Sequence, residues 1–144
     1  MTVRLFKPGF EQSKKLVRAG KYVFDARDAW SEHQPSTRKE NEFIMLYGFD
    51  EYGKWHLGVD DEQDKNTKRH YKFPYGDFEN VHRCGVLSAE SRAGQYKHYD
   101  IEKAAARLHE MIDNANAGEA KVHHIRIGSK SEERAPSTKV RKRA

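Results

Sequence analysis

The apolar positions of this chain are sparse and gather into short periodic stretches separated by polar runs. A helical pattern begins at Pro8, a residue tolerated in a first turn, and stops at Gly20, where a C-terminal glycine belongs. Phe10 and Val17 share one face of it, and Lys14, Arg18 and Lys21 share another at i, i+4, i+7. Residues 25–35 read as a polar connection holding Trp30 and ending at Pro35. Thr37 and Glu40 match a capping box ahead of Phe43-Ile44-Met45-Leu46-Tyr47, which predicts a second helix over 37–47 with Gly48 as its stop. Trp55 to Val59 reads as a short strand or extended packing segment. Arg69 to Phe73 alternates polar and aromatic residues and can pair with it.

Pro74 and Gly76 predict a turn, and Asp77 an N-cap for a third helix from Phe78 to about Arg92, ended near Gly94. A fourth helix, capped by Asp100, runs from Ile101 to about Asn114 with the cleanest 3.6-residue periodicity of the chain. Ala104 to Ala106 let another helix approach it closely. Val122 to Ile127 alternates and predicts a terminal strand. From Gly128 onward no apolar pattern survives, which predicts a disordered tail. The expected fold is mainly α with a small β element (α+β): a three-to-four-helix domain over 1–127 and a flexible basic tail over 128–144.

Composition explains what builds the core. Leu, Ile, Val and Phe make up 18% of the 144 residues, below the roughly 20% at which disorder is expected, but 16 aromatic residues accompany them. Trp30, Tyr52, Trp55, Phe73, Tyr75 and Phe78 are therefore expected to carry an aromatic-weighted core. The formal net charge of +5 is unevenly laid out: +5 over residues 1–24, −6 over 25–65, +2 over 66–129 and +4 over 130–144. The longest apolar run, Phe43 to Leu46, is far short of the ~18 residues of a membrane helix. Met1 to Phe10 has no apolar core of signal-peptide length. The lone Cys84 excludes a disulfide framework. A cytoplasmic protein without membrane contact is expected.

Eight histidines raise the question of a metal. His82 and Cys84 are two apart, which on a helix turns them roughly 200° from each other, so they read as poor co-ligands. His123 and His124 face opposite sides of a strand, His98 and His109 lie apart, and no HExxH spacing occurs. A calcium loop from Asp60 fails because Lys65 and Tyr71 occupy its sixth and twelfth positions. No metal and no cofactor are expected. Arg83 and an early helical turn would permit a reactive Cys84 thiol, but its neighbours Gly85 and Val86 read it as a small core residue. No GxSxG, phosphate-loop or GxGxxG element is present. A small enzyme or metal site centred on Cys84 and His82 stays as a secondary alternative to a non-enzymatic binding protein.

Basic clusters offer binding surfaces: Lys14, Arg18 and Lys21; Lys68 and Arg69 among His70, Tyr71 and Lys72; and Lys139, Arg141, Lys142 and Arg143 in the tail. The leading expectation is an accessory protein docking onto a larger macromolecular assembly through charged surfaces. The alternative is nucleic-acid binding by the basic N-terminal helix and tail.

The strings Asp28-Ala29-Trp30-Ser31-Glu32-His33-Gln34-Pro35, Tyr52-Gly53-Lys54-Trp55-His56-Leu57-Gly58, Tyr71-Lys72-Phe73-Pro74-Tyr75-Gly76-Asp77-Phe78, Val81-His82-Arg83-Cys84 and Ser91-Arg92-Ala93-Gly94-Gln95 together resemble a family of small uncharacterised bacterial proteins. The section from Phe73 to Asp113 is also similar to a helical module of phage-encoded proteins. The likeness spans roughly residues 7–113 and implies no catalytic role. Within these motifs Arg83, Arg92 and Gln95 either tie helix ends to loops or point into a polar pocket. His82, Arg92, Gln95 and His98 are the candidates for that pocket.

Overall fold

The computed structural model of the chain describes residues 3–125, with side chains as far as Glu119. The elements run β1 (Val3–Leu5), α1 (Lys7–Arg18), β2 (Tyr22–Val23), a 3₁₀ turn (Arg27–Ala29), α2 (Trp30–His33), α3 (Thr37–Gly53), β3 (His56–Asp60), a second 3₁₀ turn (Lys68–His70), β4 (Tyr71–Pro74), β5 (Val81–His82), α4 (Arg83–Gln95) and α5 (Tyr99–Ile125). This is the expected α+β class. β3 is the centre of an antiparallel three-stranded sheet, with β1 on one side and β4 on the other, and the expected pairing of the two aromatic segments sets Gly58 opposite Lys72. β2 and β5 form a separate parallel pair, Tyr22 beside Val81 and Val23 beside His82.

The main core joins α4, α5 and the sheet through Leu57, Val86, Ile101, Ala105, Leu108 and Ile112, all fully or almost fully buried. Ala105 and Ala93 supply the small side chains that bring α4 and α5 together. A second, aromatic cluster holds Tyr52 and Tyr71 with Phe6, Phe49 and Phe78 around them. Phe78 stacks on Phe43 at 4.4 Å between ring centroids. Each such ring buries roughly 150–250 Å², which is how a chain poor in aliphatic residues fills its interior.

Five local expectations change. Ser36, not Thr37, caps α3, its hydroxyl accepting the Lys39 amide at 3.1 Å, while Glu40 turns away to pair with Lys68. Gly48 does end the first helical piece, since its φ of 86° lies in the left-handed region that favours glycine, but five more helical residues follow it to Gly53. The third helix starts at Arg83 rather than Phe78. Asp77 closes an Asx turn by accepting the amides of Glu79 and Asn80, and the chain then stays extended through β5. Asp100 sits inside the first turn of α5 and accepts the Leu5 amide at 2.8 Å, tying the helix start to β1. Finally, α5 runs on to Ile125, so the segment 122–125, which includes His123 and His124, is helical and not a strand. Val122 and Ile125 are three apart, a spacing that falls on one face of a helix and on opposite faces of a strand. The remainder of that expected strand and the tail, with Lys139, Arg141, Lys142 and Arg143, lie outside the described residues.

Candidate functional site

The connection after β2 is not a plain loop. Its two helical turns, Arg27–Ala29 and Trp30–His33, lie along α4, and a cleft of about 670 Å³ opens between them, β4 and the C-terminal end of α4. That volume falls in the range of small-molecule sites, roughly 300–1,000 Å³. Three cations line it from three separate elements: Arg27 from the 3₁₀ turn, Lys72 from β4 and Arg92 from α4. None of them has an ion-pair partner among the described residues. Trp30, Phe73 and Tyr96 give the cleft aromatic surface, and Tyr96 is 55% exposed. Phe73 is held at a φ of 61°, a left-handed conformation costly for a side chain with a Cβ, and its ring meets His98 edge-on at 5.9 Å. Asp28 and Asp60 lie in the same lining, so the cleft is mildly rather than strongly positive.

Next to the cleft is a buried polar hub centred on Asp25. One carboxylate oxygen, Oδ1, accepts the Cys84 amide at 2.7 Å. The other, Oδ2, receives His82 Nδ1 at 2.7 Å, His33 Nδ1 at 2.7 Å and the Cys84 thiol at 3.1 Å. The opposite ring nitrogen of His82, Nε2, donates to Asp77 Oδ2 at 2.8 Å. Asp77 is itself fixed by the two amides of its Asx turn. The side chains of Asp25 and His82 are 8% exposed and that of His33 is 38% exposed, so the hub is enclosed except at His33.

The electrostatics follow from this geometry. Burial would push the Asp25 carboxyl up, but the hydrogen bonds from His82, the Cys84 amide and thiol, and His33 outweigh it and hold it at about 2. Burial disfavours a charged His82, yet two carboxylates clasping the ring hold it up to about 9. Burial and the bond to Asp25 push the Cys84 thiol above its ordinary range, the direction opposite to that of an activated nucleophile.

The hub overturns the expectation that His82 and Cys84 point apart. That argument assumed both were helical. His82 instead has extended backbone (φ −104°, ψ 126°) immediately before α4, and Cys84 follows in its first turn, so both reach Asp25. His82 therefore belongs to the hub and not to the cleft, whereas Arg92 and His98 do meet in one polar pocket. Gln95 is exposed and lines no part of it. Lys68 is engaged by Glu40 at 3.2 Å, and Lys14 by Glu11 at 3.0 Å and by the Phe10 ring, while Arg18, Lys21 and Arg69 are exposed away from the cleft. Arg83 ties α4 to α5 through Asp113 at 2.9 Å. The sequence did not single out Asp25, His33 or Arg27, offered Asp77 only as a helix cap, and placed Lys72 only in a basic cluster with Lys68 and Arg69. The one available signal was the pairing of Asp-x₇-His with Asp-x₄-His-x-Cys, whose i, i+2 end suits an extended segment.

Comparison with family models, with curated proteins and with solved structures finds no match, so geometry alone bears on function here.

Proposed function

We propose that the protein is a non-enzymatic binding module whose ligand is a nucleoside phosphate, held in the cleft between the Arg27–Gln34 segment, β4 and α4. The observation that carries this is the convergence of Arg27, Lys72 and Arg92, all without ion-pair partners among the described residues, on one cleft faced by Trp30, Phe73 and Tyr96. Guanidinium and ammonium groups recognise phosphate oxygens, and aromatic faces stack on planar bases. Asp28 and Asp60 disfavour a dense polyanion but suit a ligand that also offers hydrogen-bond donors, as ribose hydroxyls and base amino groups do. The raised Cys84 thiol argues against nucleophilic catalysis.

The shared chemistry of a base and a phosphate occurs in free nucleotides and in single strands. Calorimetric titration with a nucleoside monophosphate, a short single-stranded oligonucleotide and inorganic phosphate separates the sources. Binding of the monophosphate or the oligonucleotide, at least tenfold tighter than inorganic phosphate and lost in Arg92→Ala, supports the reading. Equal, weak binding of all three removes it.

A second reading, docking onto a protein assembly, is favoured by Met45, Leu46 and Tyr47. They are 84%, 72% and 60% exposed at the end of the first helical piece of α3. Three neighbouring large apolar side chains left in water mark an interaction surface more often than a solvated face.

A further inference from the structure

We infer that Asp25, His33, His82 and Cys84 form a binding site for a divalent transition-metal ion, with zinc as the natural occupant. This goes beyond the nucleotide reading and does not depend on it. The donor atoms of these four side chains all lie within 4.8 Å of one another. Asp25 Oδ2 stands 2.7 to 3.1 Å from the other three donor atoms, and Cys84 Sγ is 3.8 Å from His33 Nδ1. A tetrahedral zinc with bonds of about 2.0–2.3 Å sets its ligands about 3.3–3.8 Å apart. A rearrangement on the order of 1 Å therefore converts the hub into a coordination sphere. One thiolate, two imidazoles and one carboxylate is a mixed S, N, O set that suits zinc and not magnesium or calcium, which take oxygen ligands.

Three features of the surroundings fit a metal site specifically. First, His82 would present Nδ1 to the ion while Nε2–H donates to Asp77 at 2.8 Å. That is the carboxylate–histidine–metal arrangement that fixes a ligand's ring orientation. Second, Asp77 is anchored by the amides of Glu79 and Asn80, so the supporting carboxylate is itself positioned before any ion arrives. Third, three hydrogen-bond donors crowd a single oxygen, Asp25 Oδ2. A divalent cation replacing the Cys84 thiol proton and the His82 Nδ1 proton, with the neutral His33 ring carrying its proton on Nε2 instead of Nδ1, relieves that crowding and leaves the net charge of the buried site unchanged. His33, the most exposed ligand, gives the ion its way in.

Four protein ligands close the tetrahedron, which makes the site structural in kind. It would clip the two ends of the Asp25–His33 segment to the start of α4, and that segment carries Arg27 and Trp30 into the cleft. Asp77 acts as a positioning residue.

The test uses the full chain, depleted of metal and titrated with Co(II), then with Zn(II) in competition. The site predicts one equivalent of cobalt with tetrahedral ligand-field bands and a thiolate-to-cobalt charge-transfer band, both abolished by zinc. Because Cys84 is the only cysteine, that band reports this site among eight histidines. Cys84→Ser removes the band. Asp77→Asn keeps it but weakens zinc binding roughly 10–100-fold, the effect of losing a supporting carboxylate. His33→Ala, at the most exposed ligand, weakens zinc further and guards against misreading a variant that fails to fold. Absence of the charge-transfer band in the folded wild-type chain, or zinc affinity unaltered in both His33→Ala and Asp77→Asn, overturns the proposal and leaves a hydrogen-bonded hub only.

Discussion

The indole of Trp30 lies tilted over the imidazole of His82, with 6.1 Å between ring centroids, so one side chain is shared by the cleft and the polar hub. Whatever fixes the Asp25–His33 segment also fixes the cleft wall. Asp25 is the main tie, with four hydrogen-bond donors on one carboxylate.

Asp25→Asn tests that tie. The neutral amide cannot accept from all four donors and leaves the His82 charge with Asp77 as its partner. Because Asp77 still compensates that charge, the loss is that of hydrogen bonds to a charged group, about 1.5–3 kcal/mol. Urea unfolding of the metal-depleted variant should show that loss, whereas Lys103→Gln, exposed on α5, should stay within about 0.5 kcal/mol of wild type.

Gly85→Ala reaches the cleft from the opposite side. A Cβ at Gly85 would stand 3.0 Å from two atoms of the Trp30 ring and 3.0 Å from the Tyr75 carbonyl oxygen. The carbonyl is backbone, so the indole must move. An overpacking cost of about 1–3 kcal/mol is expected, together with weakened nucleotide binding, measured by unfolding and calorimetry on the same preparation.

His56 gives the fold an acid-sensitive step away from the site. Its ring is buried, donates Nδ1–H to the Tyr52 carbonyl at 3.0 Å and is packed by the Tyr52 and Tyr71 rings, and burial lowers it to about 4. The unfolded chain protonates this histidine near pH 6.5 and the folded one only near 4. Between those values the unfolded state binds the extra proton, so stability falls as pH falls, by about 3 kcal/mol in total. His82, held protonated up to about 9, contributes stability that is lost above pH 6.5, and Asp25, at about 2, changes only in strong acid. The slope of stability between pH 6.5 and 4 therefore belongs chiefly to His56, and His56→Gln should flatten it.

Periodicity located the long helices and the aromatic strand pair because burial there is continuous: Ile101, Leu108 and Ile112 repeat at helical spacing, and Tyr71 and Phe73 alternate. It failed where the backbone changes state within two or three residues. Asp77 was legible as a capping residue, but its Asx turn leads into β5, and this displaces the start of α4 from Phe78 to Arg83. That shift decides whether His82 and Cys84 diverge or converge, and so whether the hub can be seen. Asp25 and His33 were illegible for another reason. They lie in a polar segment with no apolar period, and apart from each other their partners are more than 45 residues away in sequence. Arg92 and His98 were legible as pocket candidates because they flank the end of one helix, whereas Arg27 and Lys72 reach the cleft through tertiary packing.

The surface reading of α3 separates from the cleft reading by a simple variant. Met45→Glu with Leu46→Glu alters side chains that are 84% and 72% exposed, so stability should change by no more than about 0.5 kcal/mol and nucleotide binding should be untouched. Loss of nucleotide binding in this variant would show that the cleft is not where the ligand sits.

The central claim, that the cleft beside Trp30 takes a nucleoside phosphate, is tested most directly by the two indole N–H signals in a ¹H–¹⁵N spectrum of the full chain titrated with a nucleoside monophosphate. Trp30 lines the cleft and Trp55 is buried in the core. A nucleotide seated in the cleft gives a saturable shift of the Trp30 signal, absent in Arg92→Ala, with Trp55 unmoved. A titration that shifts neither indole, or that moves only signals outside the cleft lining, contradicts it.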